Sequence, residues 1–135
     1  MPSVLQNNVA LGREIVPTSM EAGDVIAKKF TYTFPVAGSA GDIVEIGILP
    51  AYCSFVDLNY MENGAITEGN IGIMAGAVGD KTLANRTIAT NLITSGRANQ
   101  AALDVAPVGY DRSIGVTITS AAQGATITLM SLFVQ

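Results

Sequence analysis

The side chains that could carry chemistry in this chain of 135 residues are few: eleven Asp and Glu, a single cysteine at Cys53, and no histidine. Without histidine the commonest general base, the commonest metal ligand and every Ser-His or Cys-His nucleophile pair are missing. Two carboxylates at a set separation would still suffice for glycosidase-type acid–base work, and Asp57, in the middle of an apolar run, is the one to weigh. Its alternation with Phe55, Asn59 and Met61 turns it away from Val56 and Leu58, toward a partly solvated face where a carboxylate needs no catalytic explanation. Asp104, Asp111, Glu62 and Glu68 could offer oxygen ligands to calcium, but none stands in the D-x-D-x-D-G spacing of a calcium loop; they read as solvated loop carboxylates. Cys53 alone can form neither an internal disulfide nor a Cys-rich zinc site and reads as a small buried hydrophobe. The glycine-rich "GNIGIMAG" is a glycine-broken strand, without the strand, G-x-G-x-x-G, helix order that cradles a pyrophosphate. Asn85-Arg86-Thr87 fits the short glycan-acceptor triplet and is given no role. The expectation is a protein that is not an enzyme, with no catalytic, cofactor-binding or metal residues.

The elements that must hold these residues are extended. "VIAKKFTYTFPV" places Ile26, Phe30, Tyr32 and Phe34 opposite Ala27, Lys29, Thr31 and Thr33, the period of two that marks a half-buried strand. "DIVEIGIL" sets Val44, Ile46 and Ile48 against Ile43, Glu45, Gly47 and Leu49. "CSFVDLNYM" sets Val56, Leu58 and Tyr60 against Phe55, Asp57, Asn59 and Met61. Between the last two, "PAY" makes a corner that could close a hairpin or carry the chain to a second sheet, because Pro50 lacks a backbone donor. "ENGAITEGN" reads as a turn before the strand "IGIMAGAV", whose glycines predict a bulge or a close backbone approach. The middle, through residues 79–112, keeps no sustained period and leaves room for a helical turn or short strands near residues 87–93 and 102–105. "SIGVTITSAAQGATITLMSLFVQ" predicts a C-terminal hairpin. In its last strand Ile127, Leu129 and Phe133 share one face, while Met130, Leu132 and Val134 make the other face apolar too, as in a strand covered on both sides. Short strands at spacings of roughly 8 to 12 residues predict an all-β fold, a single β-sandwich or jelly-roll-like barrel over residues 25–135. Residues 1–24, broken by Asn7-Asn8, Gly12, Pro17 and Gly23, read as an extended N-terminal arm.

Composition says where the surplus apolar surface goes. Hydrophobic residues make up 49% of the chain and charged residues 13%, against about 25% charged in an ordinary soluble domain. No run approaches the roughly 20 apolar residues of a spanning helix, and the first residues lack the pattern of an export signal; no membrane partner is expected. With a net charge of −4 and scattered Lys and Arg, there is no basic stripe for nucleic acid. Association with other protein subunits is the remaining destination.

The order "GDIVEIGILPAYCSFVDLNY", "NIGIMAGAVGD", "RTIATNLI" and a terminal "GVTITSAAQGATITLMSLFVQ" resembles head decoration, or capsid cement, proteins of tailed bacteriophages over residues 25–135. The resemblance rests most on Gly41 to Asp57, a G-D-x-V-x-x-G-x-L-P-A run followed by a strand carrying an aspartate. It implies a structural virion protein made in the bacterial host cytoplasm and bound to the outer capsid surface. It further implies a homo-oligomer, a trimer foremost, with the major capsid protein as partner. Val4, Leu5, Val9 and Leu11 on the arm, which could pair along an exposed sheet edge, and Met130, Leu132 and Val134 on the last strand are the expected partner contacts. Two other readings stand beside it. One is a tail, connector or head-fibre component. The other is a carbohydrate-binding module, whose stacking platform would have to come from Tyr52, Tyr60 and Tyr110, with Tyr60 turned inward beside Leu58.

Overall fold

A computed structural model describes residues 4–6, 25–76, 78, 87–88 and 90–135. In chain order its elements are β1 (Val4–Gln6), β2 (Val25–Thr33), β3 (Asp42–Leu49), β4 (Ser54–Asn63), β5 (Ile66–Ile73), β6 (Ile93–Thr94), β7 (Arg97–Ala98), the short helix α1 (Gln100–Leu103), β8 (Arg112–Ala121) and β9 (Thr126–Val134). They build two sheets, a four-stranded one in the order β1-β3-β8-β5 and a five-stranded one in the order β2-β9-β4-β7-β6. Apart from β1 alongside β3, the pairings are antiparallel. This is the β-sandwich that strand spacing predicted.

From β2 to β5, and again from β8 to β9, each strand lies in the opposite sheet from its predecessor. That alternation is the path of a jelly roll, and it settles the "PAY" corner: Pro50 to Cys53 carries the chain from the four-stranded sheet into the five-stranded one. It also corrects the expected C-terminal hairpin. β8 pairs with β3 and β5, and β9 with β2 and β4, so the turn at Gly124 (φ 82°) crosses between sheets. A tight glycine turn looks the same in sequence whether it closes a hairpin or changes sheet.

Phe30, Phe34, Val44, Ile46, Ile48, Leu58, Ile114, Val116, Ile118, Ile127, Leu129 and Phe133 fill the space between the sheets. Burying each such side chain contributes about 1.5–3 kcal/mol before the entropy of ordering it is subtracted. On β2 the alternation came out as read, with Phe30 inward and Lys29 outward. On β4 it did not. Phe55 faces Phe133 and Asp57 faces Leu132, so Val56 is an extra, bulged residue. The bulge shifts the phase by one, putting Phe55 in the core with Leu58 and Tyr60 and turning Val56 to solvent. β3 bulges likewise at Ile46 and is buried along nearly its whole length, with Ile43 packing on Met74 and Ile88 outside the main core. The expected turn "ENGAITEGN" shrinks to Gly64-Ala65. Ile66 to Asn70 are already strand, an edge carrying exposed polar residues that periodicity could not reveal.

Among the described residues of the middle region are a helical turn and the small β6–β7 hairpin. Asn99 caps α1 by accepting from the Ala102 N–H at 3.2 Å, as Asn does at an N-cap. The segment entering this region passes close over β5. A Cβ on Gly72 would collide with the Thr90 carbonyl oxygen, and one on Gly115 would sit 2.6 Å from Met74. The first is the close approach that glycine in "IGIM" predicted.

Candidate functional site

The last strand presents the clearest candidate surface. In β9 Ile127, Leu129, Ser131 and Phe133 are buried, whereas Thr128, Met130, Leu132 and Val134 are half-buried on the outer face. Their cross-strand neighbours extend the patch: Val25 and Ser54 flank Val134, Ala27 and Asp57 flank Leu132, and Lys29 and Asn59 flank Met130. Val25, Val56 and Met61 are exposed around it. The structure therefore gathers Met130, Leu132 and Val134 into the middle of an apolar outer face. Asp57 borders this face as one half of an ion pair, 3.2 Å from Arg97 Nη2, and its other oxygen accepts from the Leu58 N–H at 2.8 Å. Its place is that of a structural carboxylate.

The arm residues are brought elsewhere. β1 runs parallel to β3, with Val4 opposite Ile43 and Leu5 opposite Val44, and the half-buried Leu5 packs against the main core. Val9 and Leu11 lie outside the described residues, as do Asn85 and Arg86 of the acceptor triplet.

Two tyrosines of the three weighed in sequence, Tyr52 and Tyr110, are exposed. Tyr52 adopts a left-handed conformation (φ 63°), its N–H donates to the Val108 carbonyl at 2.7 Å, and the neighbouring Ala51 N–H donates to Asp111 Oδ1 at 2.9 Å. This ties the corner to the loop bearing Tyr110, while Tyr60 is buried in the core, so only two of the three tyrosines are available to stack on anything. Cys53, beneath the corner, is buried. Burial, with the Asp111 carboxylate adding to it and Arg112 opposing, pushes its thiol above the usual range, the direction that disfavours the reactive thiolate.

Among the acids singled out in sequence, the structure joins Glu62 and Glu68 and separates Asp104 and Asp111. Glu62 Oε2 accepts from the Tyr60 hydroxyl at 3.1 Å. Desolvation, and a hydrogen bond shared with Glu68, hold the Glu62 carboxyl above its ordinary value. The same carboxylates, added to burial, push the Tyr60 phenol upward. Asp104 at the end of α1 accepts from Gln100 Nε2 at 2.9 Å. No group of three or more potential metal ligands occurs among the described residues.

One residue escaped the sequence reading altogether. Arg112, at the start of β8, is only 9% exposed, and its Nε and Nη2 have no hydrogen-bond partner among the described residues. It lines a cavity of about 540 Å³ walled by Ile73, Met74, Leu92, Ala101 and Val105. Burial draws its pKa down, with Tyr110 and Cys53 opposing, but a guanidinium stays charged in a protein. The local pattern "YDRSIGV" carried no signal of this, since an arginine before an apolar strand is ordinarily solvated.

With this geometry in view, comparison with solved structures is decisive. A chain from the capsid of Ralstonia phage GP4 superposes with a TM-score of 0.85 at 32% sequence identity, over 98% of this chain and 97% of that one. The chain belongs to this family of phage capsid proteins. A chain of the cyanophage Pam1 capsid asymmetric unit shares the fold, with a TM-score of 0.54 at 15% identity over 90% of this chain and 92% of the other. No protein-family model matches the sequence, and no curated protein does. Membership of the family makes a virion structural role the class of function to which the chain belongs.

Proposed function

We propose that this capsid-family protein is a decoration, or cement, protein: it binds the outer surface of a bacteriophage shell as an oligomer, a trimer foremost, and reinforces the shell against pressure from within. The observation that carries the reading is the full-length match to a phage capsid chain at 32% identity, joined to an outer β-sheet face whose central residues Met130, Leu132 and Val134 are apolar. A small domain with so little charge gains by covering such a face, and the face is bordered by Lys29 and by the Arg97–Asp57 pair, the apolar centre and polar rim of a protein interface. Modest single contacts suffice, because a symmetric shell repeats them and an oligomer engages several at once. Val9 and Leu11 serve as further contacts to a neighbouring subunit, Val4 and Leu5 being paired along β3 of the same chain. The major capsid protein is the partner.

Purified protein is expected to run as an oligomer on analytical ultracentrifugation and to co-sediment with capsids assembled without it. Leu132→Asp, which places a charge in the middle of the outer face, is expected to break the oligomer or abolish co-sedimentation while leaving the unfolding temperature close to that of the parent. A monomer that ignores such capsids, or a Leu132→Asp variant that behaves like the parent in both assays, contradicts the proposal.

A further inference from the structure

We infer that residues 52–56 are the anchor by which this chain grips the shell, with Tyr52 the side chain that carries most of the contact; the shell as recipient rests on the function proposed above. Two departures from regular backbone fall within this short segment, and each leaves a large side chain exposed. Tyr52 adopts a left-handed conformation (φ 63°), where a bulky residue is an outlier and glycine is at ease. Its bond to the Val108 carbonyl uses the backbone N–H, which glycine would supply equally, and the residue is 61% exposed. The hydroxyl reaches over Gly109, 3.2 Å from the place a Cβ there would take, so the loop steadies the ring without covering it. Strain kept at an exposed aromatic is strain that packing does not require, and it points to a contact made outside the chain. Val56 supplies the second departure. The bulge inserts it between Phe55 and Asp57 and leaves it 41% exposed, the re-aiming of a side chain for which bulges serve.

By register the segment adjoins the outer face of β2, β9 and β4. Ser54, between the two exposed residues, stands beside Val134, and Val134 beside the exposed Val25. The corner thus continues the apolar end of that face. Polar groups are interleaved with it: the Tyr52 hydroxyl, Ser54 and the Arg97–Asp57 pair. Such a mixture suits a separately folded partner, because interfaces of that kind are about as polar as ordinary surface and are enriched in tyrosine, whereas those between permanently joined copies are more uniformly apolar. A tyrosine brings a large, stiff contact area with one polar tip at small entropic cost, and a few such residues carry most of the binding energy of an interface.

Co-sedimentation with capsids assembled without the protein tests this on the whole chain, with thermal unfolding and sedimentation velocity of each protein alone. Tyr52→Gly and Val56→Ser are compared with the parent and with Val36→Ser. Val36 is exposed near Phe34, which bonds the Gly124 turn at the opposite end of β9. Tyr52→Gly is expected to unfold no lower than the parent, since the strain at this position is relieved, and yet to bind capsids roughly 30-fold more weakly, the loss on truncating a dominant contact. Val56→Ser should also lose affinity, by a smaller factor, and Val36→Ser should bind like the parent. Tyr52→Asn, which tolerates the same backbone, decides if Tyr52→Gly fails to fold. Parent-like binding by a folded Tyr52 variant, or an equal loss in Val36→Ser, overturns the anchor. A Tyr52 variant whose oligomer falls apart with no capsid present puts the contact between copies and overturns the shell as recipient. A parent protein that binds no capsid overturns the decoration reading, and the anchor with it.

Discussion

Glu62 is held between two partners of opposite effect, the Tyr60 hydroxyl that donates to it and the Glu68 carboxyl that competes with it for charge. Desolvation first, and then Glu68 against the opposing Tyr60 hydrogen bond, raise its pKa above the ordinary value of 4.5. A carboxyl whose pKa rises on folding favours the protonated state, so the stability it supports is present below that ordinary value and is lost as pH climbs through the raised one. Glu62→Gln removes the ionising member and keeps an amide able to donate to Glu68. The variant is expected to match the parent's unfolding temperature at pH 4 and to exceed it at pH 7. The gain should stay below about 1 kcal/mol, because both carboxyls are exposed. Parallel pH profiles for the two proteins would show that the Glu62–Glu68 contact has no energetic weight. Residues of this kind were legible one at a time. The sequence identified Glu62 and Glu68 as acids flanking a turn and could not show that β4 and β5 bring them together, because that meeting depends on a turn shorter than its polar composition suggested. Arg112 was illegible for the opposite reason: nothing local marks an arginine that the fold will bury.

At the scale of elements, β5 shows what a glycine in a strand can mean. Gly72 lies beneath the Thr90 carbonyl and 3.0 Å from Ile88 Cγ2 as measured from an added Cβ, whereas an added Cβ on Gly69 meets only Thr117, at an ordinary 3.5 Å. Gly72→Ala is therefore expected to destabilise the protein by about 1–3 kcal/mol, the range for overpacking a filled site, and Gly69→Ala to stay close to neutral. Chemical denaturation of the two variants checks this, and equal stabilities would mean that the crossing segment yields without resistance. Strands β2, β3, β8 and β9 were readable from their period of two. Their pairing was not, because a turn's composition does not say which sheet the next strand enters. The bulge at Val56 likewise inverted the faces assigned at the start of β4, a one-residue slip that alternation alone cannot detect.

The described residues form a sandwich with an apolar core between its sheets and further apolar side chains on an outer face. Apolar surplus, absent histidine and sparse charge point to assembly, and the family of phage capsid proteins agrees. The sequence could not show where the uncovered surface would fall. The outer face centred on Leu132 appears only when β2, β9 and β4 lie side by side, and the Arg112 cavity only when Ile73, Met74, Thr87, Thr90 and the α1 region surround the start of β8. The most direct test of decoration is the number of copies in intact virions, counted by quantitative mass spectrometry against the major shell protein. A shell-covering protein is expected in a fixed ratio of the same order as the shell subunit itself. A few copies per particle, as suits a tail, connector or head-fibre part, would contradict the account.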